Sequence, residues 1–143
     1  MRFLLDTCVV SDFAQGQSQT LARIKAASPA DLAASAITRM EVAYGLALNP
    51  RVASRLKPVM EAFFHAIEIL PYDQAAAEAT AKVRAELKKR GRPIGAYDVL
   101  IAGTALAHEL ILVTSNLREF NQVEGLRLEN WRRVATVAPL APR

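Results

Sequence analysis

The chain has 143 residues, of which 52% are hydrophobic and 22% are charged, with a formal net charge of +4 and a single cysteine. This length predicts one domain over residues 1–143 with a frayed tail at residues 138–143, and the composition excludes an intrinsically disordered chain and an intramolecular disulfide. No signal peptide and no membrane-spanning run occurs, so we expect a soluble cytoplasmic protein, and the basic balance favours a polyanionic partner.

Short apolar runs predict the strands of this chain. Four runs are expected to be buried strands, at residues 2–5, 32–37, 67–70 and 110–114, and a weaker fifth follows at residues 126–128. Between them, apolar residues at helical spacing predict helices around residues 21–24, through 40–47, over 51–66, from 74 to 90 and over 97–108. Strands that alternate with helices predict an α/β fold whose central parallel sheet is covered by helices on both faces.

Proline, glycine and capping residues indicate where these helices begin, bend or end. Pro58 is expected to kink the 51–66 helix or to divide it in two. Asp73 is a good N-cap and Gly91 a good C-terminal stop for the Ala-rich helix between them. The Gln-rich segment at residues 15–19 and residues 117–120 are predicted to be turns.

Polar side chains stand at the junctions between these elements. Asp6 and Asn116 come just after the first and fourth predicted strands. Glu41 is predicted in the first turn of the helix after the second strand, and Asp98 opens the helix that leads to the fourth. Because ligands of parallel sheets bind beyond the carboxyl ends of the strands, we expect these side chains to converge there.

The residue types at this edge indicate a site for a hard metal ion. Several carboxylates close together repel one another and need a cation to stay ionised. Carboxylate and water oxygens are preferred by Mg²⁺, for which Mn²⁺ substitutes, whereas zinc prefers histidine or cysteine. Such a metal beside Lys and Arg side chains is suited to phosphodiester hydrolysis. Nucleotide-binding glycine loops and a serine nucleophile elbow are absent from the sequence.

Each of these acids also has a purely structural interpretation. Asp6 is placed to cap the helix after the first strand, and the helix dipole alone would favour Asp98 in a first turn. Thr38 and Glu41 have the spacing of a capping box, in which the glutamate only reaches back to a backbone N–H. Cys8, in an apolar run, is expected to be a small buried hydrophobic side chain. The joint placement of the acids favours the metal site over these alternatives.

The segments that carry these residues resemble the PIN-domain ribonucleases, in particular toxins of the VapC type. The resemblance extends over nearly the whole chain and consists of four segments in the same order. They are FLLDTCVVSDF, SAITRMEVAYGL, RPIGAYDVLIAGTALAHELILVTSN and NLREFNQVEGLRLENW. The resemblance implies a PIN-like three-layer sandwich with a central parallel sheet of four to five strands.

The resemblance also implies a Mg²⁺-dependent endoribonuclease that acts as the toxin of a toxin–antitoxin pair. Metal-activated water would hydrolyse RNA, leaving a 5′-phosphate and a 3′-hydroxyl. Asp6, Glu41 and Asp98 would bind the metal. Where the family often has a fourth acid, this chain has Asn116, which would coordinate or position a water. Glu119, three residues later, is an alternative fourth ligand.

Further expectations follow from the same resemblance. Thr7 and Thr114 would offer hydroxyls to metal-bound waters. The family implies a homodimer, and a cognate antitoxin whose C-terminal part wraps the toxin, blocks the acidic pocket with a basic side chain and forms a hetero-oligomer with it. Two alternatives remain open: a PIN-like module that binds RNA or protein without catalysis, which Asn116 favours, and a DNA-directed or general phosphodiesterase.

Overall fold

A single parallel sheet organises the structure, a computed structural model that describes residues 1–132. Its strands are β1 (Phe3–Leu5), β2 (Leu32–Ser35), β3 (Glu68–Leu70), β4 (Ile111–Val113) and β5 (Leu128–Glu129). They are parallel throughout, in the order β3-β2-β1-β4-β5. The predicted α/β fold with a parallel sheet of four to five strands is therefore confirmed, with five. The predicted tail at residues 138–143 lies outside the described residues.

Helices connect the strands and cover the sheet. They are α1 (Thr7–Gln15), α2 (Ser18–Ala26), α3 (Ala36–Leu48), α4 (Pro50–Ala66), α5 (Gln74–Lys89), α6 (Ala96–Ala107) and the single turn α7 (Leu117–Phe120), with a 3₁₀ turn at Pro29–Asp31. Within residues 1–132, none of these helices has both the length and the hydropathy needed to cross a bilayer.

The core lies on both faces of the sheet, as expected when strands are buried on both sides. Successive side chains of a strand point to opposite faces, so β1 supplies both. Leu4 packs with Leu112 and the buried faces of α5 and α6, whereas Phe3 and Leu5 pack with α1, α4 and Trp131. The carboxyl ends of the strands thus lie between two layers of helices.

The boundary between β2 and α3 differs from the prediction. The strand ends at Ser35, whose hydroxyl accepts a hydrogen bond from the Thr38 N–H at 3.1 Å and caps α3. Ile37 and Thr38 are therefore helical, and Glu41 lies in the second turn rather than the first. The capping box between Thr38 and Glu41 is wrong because Ser35 takes the N-cap position. An apolar run alone does not reveal where a capping serine ends the strand.

Other element boundaries also differ. A full helix, α1, follows β1 directly and ends at Gly16, whose φ of 74° gives the left-handed conformation typical of a C-cap. The predicted turn at residues 117–120 is the helical turn α7, and β5 begins two residues later than the predicted strand. Pro58 lies inside α4 without dividing it. Asp73 caps α5 as predicted, accepting a hydrogen bond from the Ala76 N–H at 3.0 Å.

The segment after β5 anchors α1 and α2. Asp12, on α1, is buried, and its two carboxylate oxygens accept hydrogen bonds of 2.7 and 2.6 Å from the guanidinium of Arg132. Glu129 accepts hydrogen bonds from Arg23 of α2 at 3.3 Å and from the Trp131 indole N–H at 2.9 Å. Because α1 begins at the edge where β1 ends, these contacts fix the helix that leads away from Asp6.

The helices α5 and α6 approach each other most closely at Gly103. A Cβ atom at this position would lie 2.9 Å from the backbone Cα of Thr80 and would collide with the Thr80 hydroxyl. That hydroxyl is buried and donates to the Ala76 carbonyl at 2.8 Å, so it cannot turn away without losing its hydrogen bond. Glycine at 103 therefore sets the position of α6, the helix that carries Asp98.

We predict opposite effects for alanine at two helical glycines. Gly103→Ala should lower the free energy of unfolding by about 1–3 kcal/mol, because α5 and α6 must move apart. Gly45→Ala, in α3, should raise it by about 0.5–1 kcal/mol, since a Cβ there meets nothing within 4 Å and alanine favours the helix. Urea unfolding of both variants measures the difference. Equal effects at the two positions would contradict the close packing of α5 and α6.

Candidate active site

Asp6 lies where β1 ends and α1 begins. Its backbone N–H donates to the Val113 carbonyl of β4 at 2.9 Å. Its carboxylate accepts hydrogen bonds from the Thr7 N–H at Oδ1 and from the Thr114 hydroxyl at Oδ2, both at 2.8 Å. Burial is the largest influence and raises the pKa of Asp6, hydrogen bonds such as that from Thr114 lower it, and the charge of Glu41 raises it further. Asp6 does cap α1, as its structural interpretation requires, but its second oxygen is directed to Thr114.

Glu41 approaches the same region from α3. Its Oε1 accepts a hydrogen bond of 2.6 Å from the Thr7 hydroxyl, and Thr7 Oγ1 also lies 3.1 Å from the buried hydroxyl of Thr38. The Thr7 N–H is bonded to Asp6 at the same time. Thr7 therefore links the carboxylates of Asp6 and Glu41, although the two residues belong to different elements.

Asp98 and Glu119 meet at the N-terminus of α6. Asp98, half-buried in the first turn, folds back so far that its Oδ2 lies 2.9 Å from the point where a Cβ of Gly95 would be. The Gly95 N–H donates to Glu119 Oε2 at 3.2 Å, and the Asp98 and Glu119 carboxyl groups share a hydrogen bond. Glycine at the N-cap leaves room for both acids beside the positive end of the helix dipole.

Asp98 has the most perturbed carboxyl group of the site. Burial, the hydrogen bond to Glu119 and the charge of Glu119 raise its pKa to about 8, and the charges of Asp6 and Glu41 add to the effect. Two carboxyl groups in hydrogen-bond contact cannot both ionise at low cost. In the absence of a cation, Asp98 therefore keeps its proton at neutral pH.

Asn116 supports Glu119. Its side-chain Nδ2 donates to Glu119 Oε1 at 3.1 Å, and its backbone N–H donates to the Thr114 hydroxyl at 3.0 Å. Together with Gly95, Asn116 occupies both carboxylate oxygens of Glu119. The Asn116 amide thus holds the carboxylate of Glu119, the alternative fourth ligand that the sequence offered, near Asp98.

Cys8 is part of this site and not the buried hydrophobic side chain that the sequence predicted. It is only partly buried, and its Sγ lies 3.4 Å from Asp6 Oδ2 and 3.6 Å from the Thr114 hydroxyl. The N–H and hydroxyl of Ser115 donate to the sulfur at 3.5 and 3.4 Å. Burial and the charge of Asp6 raise the pKa of the Cys8 thiol, so it remains protonated and donates to Asp6.

The structure brings all the predicted acids to one region but not into a closed ligand set. Asp6, Glu41 and Glu119 each act on the charge of Asp98, which places the four carboxylates in one electrostatic site. In the described part of the chain, however, no three His, Cys, Asp or Glu side chains already surround a single point. The donors are all carboxylate oxygens, so the residues suit Mg²⁺ or Mn²⁺, and a cation would have to draw them together.

Two features of the site could not be read from residue spacing. The contact between Glu119 and Asp98 depends on α7 turning back toward the N-terminus of α6, and the sequence predicted only a turn there. The hydroxyls of Thr7 and Thr114 are engaged by Glu41 and Asp6, so they orient the acids. The one available signal was position: Thr7 follows the predicted acid Asp6, and Thr114 is the last residue of the predicted fourth strand.

Comparisons with known proteins agree with this architecture. A family model described as "PIN domain" matches residues 3–126. The tRNA(fMet)-specific endonuclease VapC of Shigella flexneri is 38% identical over 131 residues, covering 92% of this chain and 98% of that protein. Ribonuclease VapC2 of Haemophilus influenzae is 34% identical over 131 residues, covering 92% and 98%.

A solved structure shows the same fold. The DNA-bound VapBC of Salmonella typhimurium superposes with a TM-score of 0.84 at 37% sequence identity, covering 92% of this chain and 98% of that one. The family model and the relatives thus extend over the segments that carry the four acids. The chain therefore belongs to the PIN domain family.

Proposed function

We propose that this protein is a Mg²⁺-dependent endoribonuclease and the toxin of a toxin–antitoxin pair. The observation that carries the proposal is the grouping of four carboxylates from separate elements. Burial and the neighbouring acids Glu119, Asp6 and Glu41 together raise the pKa of Asp98 to about 8. Such a cluster is costly to ionise without a cation and has a plain use with one. The names of the relatives, an endonuclease and a ribonuclease, support the same activity.

The acids fit a divalent metal and each would have a defined part. Asp6, Glu41 and Asp98 would hold the ion, and bound Mg²⁺ or Mn²⁺ would lower the pKa of a water and neutralise charge developing on the phosphate. Asp98 would give up its proton when the cation binds. Thr7 and Thr114 keep the Glu41 and Asp6 carboxylates oriented in the meantime.

We assign the fourth carboxylate to Glu119 and a positioning part to Asn116. Glu119 is in hydrogen-bond contact with Asp98, whereas the Asn116 amide is turned toward Glu119. This removes the observation that favoured a PIN-like module without catalysis, because the asparagine accompanies an acid and does not replace it. The site therefore has the negative charge that the family resemblance requires.

The substrate class follows from the relatives and from the basic charge. We propose RNA, cut by hydrolysis to a 5′-phosphate and a 3′-hydroxyl, and the name of the Shigella flexneri relative makes tRNA(fMet) the first substrate to test. A protein that cleaves such RNA works in the cytoplasm. Matched RNA and DNA oligonucleotides separate this proposal from a DNA-directed or general phosphodiesterase.

The partner we propose is a cognate antitoxin, as the VapBC complexes among the structural neighbours suggest. A groove of about 300 Å³ between α3 and α4 offers an apolar surface for it, lined by residues that include Val42, Leu46, Met60 and Phe64. Val42, Leu46 and Met60 also line a neighbouring cavity together with Thr7 and Glu41, so a chain in this groove would lie next to the site. A homodimer is also proposed, for which the exposed Met40, Tyr44 and Leu48 side chains along α3 are available.

Asp98→Asn is predicted to abolish RNA cleavage without unfolding the protein. Loss of a ligand carboxylate should lower the rate at least about 100-fold, measured on tRNA(fMet) with Mg²⁺ by gel electrophoresis. Asp73→Asn is the matched control: this residue only caps α5, asparagine caps equally well, and cleavage should be unchanged. Cleavage that persists in Asp98→Asn, or in wild-type protein with EDTA, would disprove the metal mechanism.

Substitutions at Glu119 and Asn116 should differ in strength. Glu119→Gln removes a proposed metal ligand and should reduce the cleavage rate at least about 100-fold. Asn116→Ala removes only the hydrogen bond that supports Glu119 and should reduce the rate about 10-fold. Calorimetric titration with Mn²⁺ should show the same order in metal affinity. A larger effect at Asn116 than at Glu119 would reverse the assignment and make the amide the direct ligand.

The metal-free protein should lose stability as the pH rises, because of Asp98. The folded state keeps the proton up to a pKa of about 8, whereas the unfolded chain releases it near 3.8, so the free energy of unfolding falls between these values. Asp98→Asn should therefore be more stable than wild type in EDTA, by a margin that grows from pH 5 to pH 8 and then levels off. Urea unfolding across this range measures the margin, and a constant margin would contradict the raised pKa.

A further inference from the structure

One wall of the acidic site is built from the loop between α5 and α6 packed against α7. Gly95, at the end of this loop, donates to Glu119 at 3.2 Å. Earlier in the loop, Arg92 Nη1 donates to Gln122 Oε1 at 3.3 Å, and Arg90 Nη2 donates to the Gln122 carbonyl at 2.5 Å. The loop is thus joined to the α7 segment at three points along its length.

Gln122 is the centre of the outer contacts. It is half-buried just after α7, and both ends of its side-chain amide are used: Oε1 accepts from Arg92, and Nε2 donates to the Arg118 carbonyl at 3.4 Å. Gln122 therefore holds the guanidinium groups of Arg90 and Arg92 and contacts the backbone of a third arginine, Arg118, on the same side of the site. We call these three residues the arginine rim.

The rim is exposed and its charge is largely uncompensated. All three arginines are exposed, and within residues 1–132 none of them forms an ion pair, since the ion pairs found there join Arg23 to Glu129 and Arg132 to Asp12. Arg90 shares a groove with Glu86 and Glu124, so its field is partly offset. Arg92 and Arg118 supply most of the free positive charge.

The rim is close enough to act on a strand that enters the site. Arg92 is three residues from Gly95, which limits their Cα separation to about 11 Å. This upper limit is only slightly longer than the Debye length of about 8 Å at physiological salt, and a nucleic-acid strand spans it, so charges on the rim and at the site influence the same ligand. A polyanion would be repelled by four carboxylates alone, and the rim supplies cationic groups beside them, of which Arg90 and Arg92 are already held by hydrogen bonds to Gln122.

We infer that the arginine rim binds backbone phosphates of the RNA strand next to the phosphate that is cut, with Gln122 as a positioning residue for Arg92. The inference rests on the proposed ribonuclease function but concerns binding, not metal chemistry. Planar guanidinium groups suit phosphate oxygens, and the hydrogen bonds that Arg90 and Arg92 donate to Gln122 reduce the freedom that these side chains lose on binding. These arginines would contact phosphate groups and not bases, so they would set the affinity for the RNA strand and its position in the site.

Binding is measured in the absence of metal and cleavage, so that the test is independent of catalysis. Asp98→Asn protein in EDTA is titrated into a fluorescently labelled single-stranded RNA, and anisotropy gives the dissociation constant from 50 to 200 mM NaCl. Arg92→Ala and Arg118→Ala should each weaken binding about fivefold at low salt, and should reduce the slope of log K against log [NaCl] by about 0.7 per lost phosphate contact.

The control is Lys25→Ala, in the same Asp98→Asn background. Lys25 is also exposed, but it stands at the end of α2, which leads to the start of β2 and so to the opposite edge of the sheet. Lys25→Ala removes the same charge as Arg92→Ala, but it should leave both the RNA affinity and its salt dependence nearly unchanged. Equal effects of Lys25→Ala and Arg92→Ala would show that only net charge matters, and would overturn the inference.

Gln122→Ala tests the positioning part, because it changes no charge. We expect Gln122→Ala to bind RNA two- to fivefold more weakly with an unchanged melting temperature. Gln122→Asn should restore the RNA affinity only in part, since the shorter amide does not reach Arg92. Unchanged affinity in Gln122→Ala would disprove the positioning role. If the rim variants bind RNA normally while the wild-type protein cleaves it, the rim inference fails and the nuclease proposal stands. If the rim variants bind RNA more weakly but the wild-type protein does not cleave it, the rim inference stands and the nuclease proposal fails.

Discussion

Mutual repulsion among four carboxylates is the constraint around which the rest of this structure is arranged. Asp6 is buried, Asp98 is half-buried against Glu119, and Glu41 acts on both through its charge. The fold supports them with hydrogen bonds from hydroxyls, a thiol and an amide, and Asp98 retains a proton. A protein maintains such an arrangement against its own stability where the site serves a function.

The parallel sheet supplies the means of bringing these residues together. Its central strands β1 and β4 end at the same edge, which places Asp6 beside Thr114, and β2 leads into α3 with Glu41. The packing of α5 on α6 at Gly103 then sets where Asp98 stands. Each acid is therefore positioned by a different element, and the site depends on long-range packing more than on any local motif.

The sequence revealed the elements better than their junctions. Apolar runs and caps such as Asp73 predicted the strand–helix alternation because burial and capping are local properties. The contact of Glu119 with Asp98 and the place of Cys8 beside Asp6 could not be predicted, because they arise where distant segments meet. The positions of Asp6, Glu41 and Asp98 at element junctions already indicated them as a set, and the family resemblance agreed. The resemblance also pointed to Asn116 as the fourth position, whereas its amide supports the neighbouring glutamate.

The central claim is that these carboxylates hold one divalent cation together. The most direct measurement is anomalous diffraction from a crystal of the protein soaked in Mn²⁺. We predict a manganese peak about 2 Å from carboxylate oxygens of both Asp6 and Asp98, with the hydrogen bond between Asp98 and Glu119 broken. A soaked crystal with no peak between Asp6 and Asp98, and with the Asp98–Glu119 contact intact, would contradict the account.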